Sequence, residues 1–217
     1  MKVMIFGATG MVGQGVLREC LLDPEVDRVL TIGRASTGEK HDKLREIVHA
    51  DLFDLSSIES ELAGWDACFF CLGVSAAGMS EADYTRITYD LTLSVAKTLA
   101  KLNPEMCFVY VSGAGTGGNA MWARVKGKTE NALLELPFRA KYMFRPGFIQ
   151  PQHGIKSKTK LYRAVYAVMG PLYPALRAVA PKFVTTSDQV GRAMLVAAKR
   201  GAPNPIVENA DINSLAQ

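Results

Sequence analysis

Glycines at positions 7, 10 and 13 are the residues of this chain best placed to do chemistry. They punctuate Gly7-Ala8-Thr9-Gly10-Met11-Val12-Gly13, directly after the apolar run Lys2-Val3-Met4-Ile5-Phe6 and at the head of an amphipathic segment from Met11 to Leu22. A strand, a glycine turn and a helix N-terminus make a phosphate cradle, because backbone N–H groups and the positive end of the helix dipole converge on one spot. Glycine is needed where the chain turns tightly, where a ligand nears the backbone and where helix packs on strand. The spacing is GxxGxxG rather than GxGxxG, yet the strand–turn–helix context predicts a dinucleotide site.

Arg34 is the second candidate, at the end of Leu30-Thr31-Ile32-Gly33-Arg34. An acidic side chain there would receive a ribose 2′-hydroxyl, whereas an Arg accommodates a 2′-phosphate. The strand end carries no Asp or Glu, and a guanidinium pairs with phosphate through two parallel N–H donors. The expected cofactor is NADP(H) in preference to NAD(H). Asp51 and Leu52, after the third predicted strand, are placed to contact adenine. Leu72 and Gly73 end the fourth, where a small residue lets the backbone approach a cofactor. Cys68-Phe69-Phe70-Cys71 has CxxC spacing, but it lies in an apolar run suited to a buried parallel strand. Positions three apart on a strand face opposite ways, so these thiols are read as core residues and no metal site is expected.

These residues need a frame to hold them. Apolar runs predict strands at 2–6, 28–33, 46–49, 66–72, 107–112, 141–145 and 205–208, with helical patterns at 11–22, 56–62, 81–102, 121–135 and 188–199. The alternation predicts an α/β fold, a doubly wound parallel sheet with helices on both faces and its ligand at the carboxyl ends of the strands. Residues 1–217 read as a single domain. The stretch 150–187, rich in Pro, Lys and Tyr, breaks the rhythm and is read as a partly helical substrate-side insertion. Its basic cluster at 156–163 is read as a solvated helix face. A net charge of +4 is too mild to indicate nucleic acid. No stretch approaches the roughly 18 consecutive apolar residues of a membrane span. Four cysteines, mostly in apolar runs, and an N-terminus without a signal-peptide layout lead to the expectation of a cytoplasmic protein.

The fifth strand ends Val109-Tyr110-Val111-Ser112-Gly113-Ala114-Gly115, the next helix holds Trp122-Ala123-Arg124-Val125-Lys126, and the sixth strand ends Phe144-Arg145-Pro146-Gly147-Phe148. With GATGMVG, IGR, FFCLG, VKGKTEN, FRPG and IVENADINSL in order along the chain, the sequence resembles the atypical short-chain dehydrogenases/reductases of the extended, epimerase-like type. More narrowly it is similar to the Tat-interacting-protein oxidoreductase group. The resemblance implies a Rossmann-type fold in which Gly7, Thr9, Gly10, Met11, Val12 and Gly13 hold the pyrophosphate and Arg34 the 2′-phosphate. It implies that Asp51 and Leu52 face adenine, that Leu72 and Gly73 face the adjoining ribose, and that Pro146, Gly147 and Phe148 border the nicotinamide. Ser112 would polarise a substrate carbonyl, and Lys126 would bind the nicotinamide ribose.

One position departs from the pattern. The family's acid/base is a Tyr four residues before the Lys, and here that position is Trp122. An indole only donates and does not titrate usefully, so it is no acid/base. Tyr84, Tyr89, Tyr162 and Tyr166 lie on segments that could face the cleft, but sequence does not place their hydroxyls. Two readings stay open: an NADP-dependent oxidoreductase or epimerase-like enzyme acting on an unknown small carbonyl or hydroxyl compound, and an NADP(H)-binding sensor or regulatory protein without efficient turnover. Either would be a monomer or homodimer that uses neither nucleic acid nor membrane.

Overall fold

A computed structural model describes residues 1–155 and 179–217. Strands β1 (Lys2–Phe6), β2 (Arg28–Gly33), β3 (Leu44–Val48), β4 (Ala67–Phe70), β5 (Cys107–Val111), β6 (Ala140–Arg145) and β9 (Ile206–Glu208) form one sheet in the order β3-β2-β1-β4-β5-β6-β9. Every neighbouring pair runs parallel. The chain winds outward from β1 through β2 to β3, then returns to β4 on the other side of β1. The connections therefore diverge between β1 and β4, the switch point where doubly wound sheets bind ligands.

The middle strands of the sheet are buried on both faces. Val3, Ile5, Phe69 and Val109 pack on one side with helices α1 (Met11–Leu22) and α5 (Ser187–Arg200). Met4, Phe6, Cys68, Phe70, Phe108 and Tyr110 pack on the other with α3 (Leu91–Leu102) and α4 (Met121–Leu134). Burial on both faces is why these strands read as continuous apolar runs. Cys68 belongs to the α3 side and Cys71 packs against the α1 side, so the two sulfurs diverge. Burial pushes the Cys71 thiol up to about 12.

Some elements differ from the sequence reading. The segment Ser56–Glu61 is a 3₁₀ helix, and the long helical pattern from residue 81 is α2 (Glu81–Thr85), a π-helical turn Arg86–Asp90, then α3. Two three-residue strands, β7 (Phe148–Gln150) and β8 (Val184–Thr186), pair in parallel apart from the main sheet. They are too short to show a period. Their pairing brings the two ends of the 150–187 stretch together. The core of that stretch, 156–178, with the basic cluster and Tyr162 and Tyr166, lies outside the described residues. Helix α6 (Asn209–Leu215) was also not anticipated; it begins with a reciprocal capping box between Glu208 and Asp211.

Candidate cofactor and active site

The glycine turn closes the switch point. Gly7 sits at φ +82°, and a Cβ there would lie 2.5 Å from the Leu72 nitrogen, so only glycine lets the end of β1 meet the chain leaving β4. At Gly13 a Cβ would lie 2.1 Å from the Gly7 carbonyl oxygen, which sets the start of α1 directly on the turn. Gly10 N–H donates to Gly7 O at 3.0 Å and Gln14 N–H to Gly10 O at 2.9 Å. Among the described residues, the N–H groups of Met11, Val12 and Gly13 have no acceptor. Helix α1 has a glycine N-cap without a side-chain cap, and its first turn contains no acid. Helices α2 and α5 are capped by Ser80 and Thr186, whereas α4, which follows Ala120, is uncapped like α1. The positive pole of α1 is thus left unneutralised by the protein, which suits an external anion.

Arg34 is exposed just beyond β2 and forms no ion pair with any described residue. The loop that follows is tied to Glu46 of β3, which accepts from Thr31 Oγ1 (3.1 Å), Ser36 Oγ (2.7 Å), Thr37 N–H (2.8 Å) and Thr37 Oγ1 (2.7 Å). Burial pushes the Glu46 carboxyl up, but these hydrogen bonds outweigh it and hold the group below its ordinary value. Four donors occupy the carboxylate, so it does not compete with a phosphate for Arg34. Asp51 is exposed and accepts from Phe53 N–H at 2.9 Å, whereas Leu52 is buried in the α3-side core. Leu72 is half-buried, and Gly73 is exposed with open space around it.

On the other side of the switch point, α4 presents Trp122, Lys126 and Glu130 at successive turns of one face. Lys126 Nζ donates to Ser112 O at 2.8 Å and to Val111 O at 3.3 Å, and it lies 5.4 Å above the Tyr110 ring. Burial lowers its pKa to about 8, against the opposing pull of Glu130. Ser112 Oγ lies 2.5 Å from Glu130 Oε1 and 3.2 Å from Phe144 O. Both partners are acceptors, so the single hydroxyl proton that the resemblance assigns to a substrate carbonyl is committed inward. Glu130, only 1% exposed, is in turn gripped by Arg145 through Nε at 3.0 Å and Nη2 at 2.5 Å. Arg145 Nη1 continues to Glu208 at 3.1 Å.

Trp122 is half-buried, and its indole ring leans over Gly115, where a Cβ would make a 3.5 Å contact. Its N–H has no partner among the described residues. Tyr84 is buried. Tyr89 lies beneath the Lys128 ammonium at 4.3 Å. The loop after β6 is pinned by Ala114 N–H to Pro146 O at 2.9 Å and by Gly147 N–H to Asn209 Oδ1 at 2.8 Å, and Phe148 opens β7. Sequence reasoning missed Glu130, Asn209 and the role of Arg145. The signal for Glu130 was its position one helical turn after Lys126, which places both on one face.

The sequence pattern of the NAD dependent epimerase/dehydratase family matches residues 3–142. The protein named fmp52, mitochondrial, of Emericella nidulans is 29% identical over 88% of this chain and 84% of its own length. A protein named FMP52, mitochondrial, of Eremothecium gossypii is 28% identical over 99% of this chain and 97% of its own. The UDP-glucuronic acid 4-epimerase of Bacillus cereus, solved in complex with NAD, shares the fold at a TM-score of 0.71 with 13% identity, over 95% of this chain and 77% of that one. The names of the fungal relatives overturn the expectation of a cytoplasmic protein. That expectation rested on cysteines in apolar runs and on an N-terminus without a secretory layout; burial keeps a thiol inert in any compartment, and a secretory signal is not what directs a protein to mitochondria.

Proposed function

Because the chain belongs to the NAD dependent epimerase/dehydratase family, we propose that it is an NADP(H)-binding oxidoreductase acting on a small carbonyl or hydroxyl compound, as a monomer or homodimer. The observation that carries this reading is the glycine turn at the β1/β4 switch point, with the N–H groups of Met11, Val12 and Gly13 unpartnered among the described residues. A bound nicotinamide would supply or accept the hydride. The chain's own residues would do the rest. The uncapped end of α1 would hold the pyrophosphate, and Arg34, which has no protein partner among the described residues, would hold the 2′-phosphate. Lys126, anchored at the carboxyl end of β5, would face the nicotinamide ribose. Leu52 contributes packing under the adenine side rather than an open contact, since it is buried.

The test is cofactor preference. NADPH is expected to bind more tightly than NADH. Arg34→Asp is expected to weaken NADPH by about 10²-fold, the worth of a charged hydrogen-bonded pair. It should also favour NADH, since an acid at this position can accept the ribose hydroxyl. Calorimetry on the parent and the variant measures both, and equal affinities in the parent would remove the assignment of Arg34.

A second reading, an NADP(H)-binding regulatory protein without efficient turnover, is favoured by Trp122 at the acid/base position and by the inward commitment of the Ser112 proton. Trp122→Tyr separates the two. In a cleft that binds cofactor and substrate but lacks a proton donor it should raise carbonyl reduction by about 10²-fold, the usual worth of a positioned acid. In a parent that reduces no carbonyl compound, absence of any gain favours the regulatory reading.

A further inference from the structure

We propose that Lys126 is itself the proton donor and acceptor of this site, in place of a tyrosine. The inference rests on the oxidoreductase reading above and names the residue that completes its chemistry. It follows from counting, among the described residues, the protons available at the carboxyl end of β5. Ser112 has one, held between Glu130 Oε1 and Phe144 O. Trp122 has one on an indole nitrogen that does not ionise usefully. Tyr84 and Tyr110 are buried, and burial drives the Tyr110 phenol far above its ordinary value. Lys126 has three. Two go to the carbonyls of Val111 and Ser112, and the third has no partner among the described residues.

The surroundings of the ammonium favour exchange. Among the described residues, no carboxylate lies within ion-pair distance of Nζ. The charged groups facing it are Glu130, one turn along α4, and Arg145 of β6, which holds both oxygens of Glu130. The Tyr110 ring of β5 lies beneath it. Glu130 favours the charged form of Lys126, but desolvation is the larger influence and brings the group to about 8. A lysine that titrates there can give up and retake a proton near neutral pH, which one at its ordinary value cannot do efficiently.

In the reducing direction a bound reduced nicotinamide would supply the hydride to the carbonyl carbon, and in the oxidising direction its oxidised form would accept it back. The carbonyl oxygen, which gains the π electron pair, takes a proton from Lys126 Nζ. The N–H bond breaks, an O–H bond forms, and the neutral amine recovers a proton from water. In the oxidising direction the neutral amine removes the hydroxyl proton. Reduction must therefore slow as pH rises through the Lys126 midpoint, and oxidation must quicken.

The experiment has two arms. The first uses cofactor-free protein labelled with carbon-13 at lysine Cε and follows each signal with pH. One lysine, absent from Lys126→Arg, is expected to titrate near 8, and titration of every lysine at or above the ordinary 10.5 would overturn the proposal. The second arm measures NADPH oxidation by a panel of small aldehydes and ketones headed by nitrobenzaldehyde. The parent rate should fall about tenfold per pH unit above the midpoint. Lys126→Arg keeps the positive charge but does not release a proton, so at saturating NADPH it should lose about 10²-fold in rate. In Lys126→Ala, added ethylamine should restore part of the rate. A parent that reduces the panel with a flat pH profile, or an undiminished Lys126→Arg, would sink the role of Lys126 and leave the oxidoreductase reading standing. A parent that binds NADPH but reduces nothing would sink both.

Discussion

Replacing Arg145 by methionine is expected to remove about 3–5 kcal/mol of stability, because it strips the partner from a carboxylate that water does not reach. Glu130 is 1% exposed, and two of the Arg145 nitrogens satisfy its two oxygens. Only the Ser112 hydroxyl would remain, on Oε1, leaving the negative charge without a cation. The outer pair with Glu208 is half exposed, and pairs of that kind contribute about 0–1 kcal/mol, so the loss belongs to the inner contact. Urea unfolding measures it. The double variant Arg145→Met/Glu130→Met tests the cause: with both charges gone, the penalty for an unpaired buried ion disappears and stability should largely return. A single variant that loses less than about 1 kcal/mol would show that Glu130 finds other partners.

Gly7→Ala is the second large effect. The residue adopts φ +82°, and its added carbon would sit 2.5 Å from Leu72 N and 2.7 Å from the Cys71 carbonyl carbon. Both contacts are backbone, so no side chain can swing aside, and β1 and β4 must separate at the switch point. Strain of about 1–3 kcal/mol for the left-handed conformation adds to a similar cost for overpacking. The same movement opens the phosphate cradle, so NADPH affinity should fall with it. Gly38 supplies the control, since it has nearly the same φ, +80°, and a Cβ there would meet nothing within 4 Å. Gly38→Ala should carry the conformational cost alone and leave NADPH binding intact. Equal losses from both variants would show that conformation, not close approach, governs position 7.

Much of the framework was legible from local pattern. Lys2–Phe6, Arg28–Gly33 and Met11–Leu22 fall where periodicity puts them, because strands buried on both faces read as apolar runs and a glycine turn announces a helix start. The divergence of Cys68 and Cys71 followed from the same period of two. The pairs β7/β8 and helix α6 were not legible. Three-residue strands and a seven-residue helix offer too few positions to establish a repeat.

The amino-acid order alone determined the layered α/β framework and the glycine corner, since each is a property of neighbouring residues, and the family resemblance marked Trp122 as standing where those proteins carry a tyrosine. Only the tertiary structure decided what the polar groups near that tryptophan do. Ser112, Glu130 and Arg145 come from the end of β5, from α4 and from β6, and they meet only because β5 and β6 lie side by side, with Val111 opposite Phe144 and α4 packed across them. Periodicity tells which face of an element is buried. It does not tell which buried charge meets which donor, because that depends on the register between elements far apart in the chain.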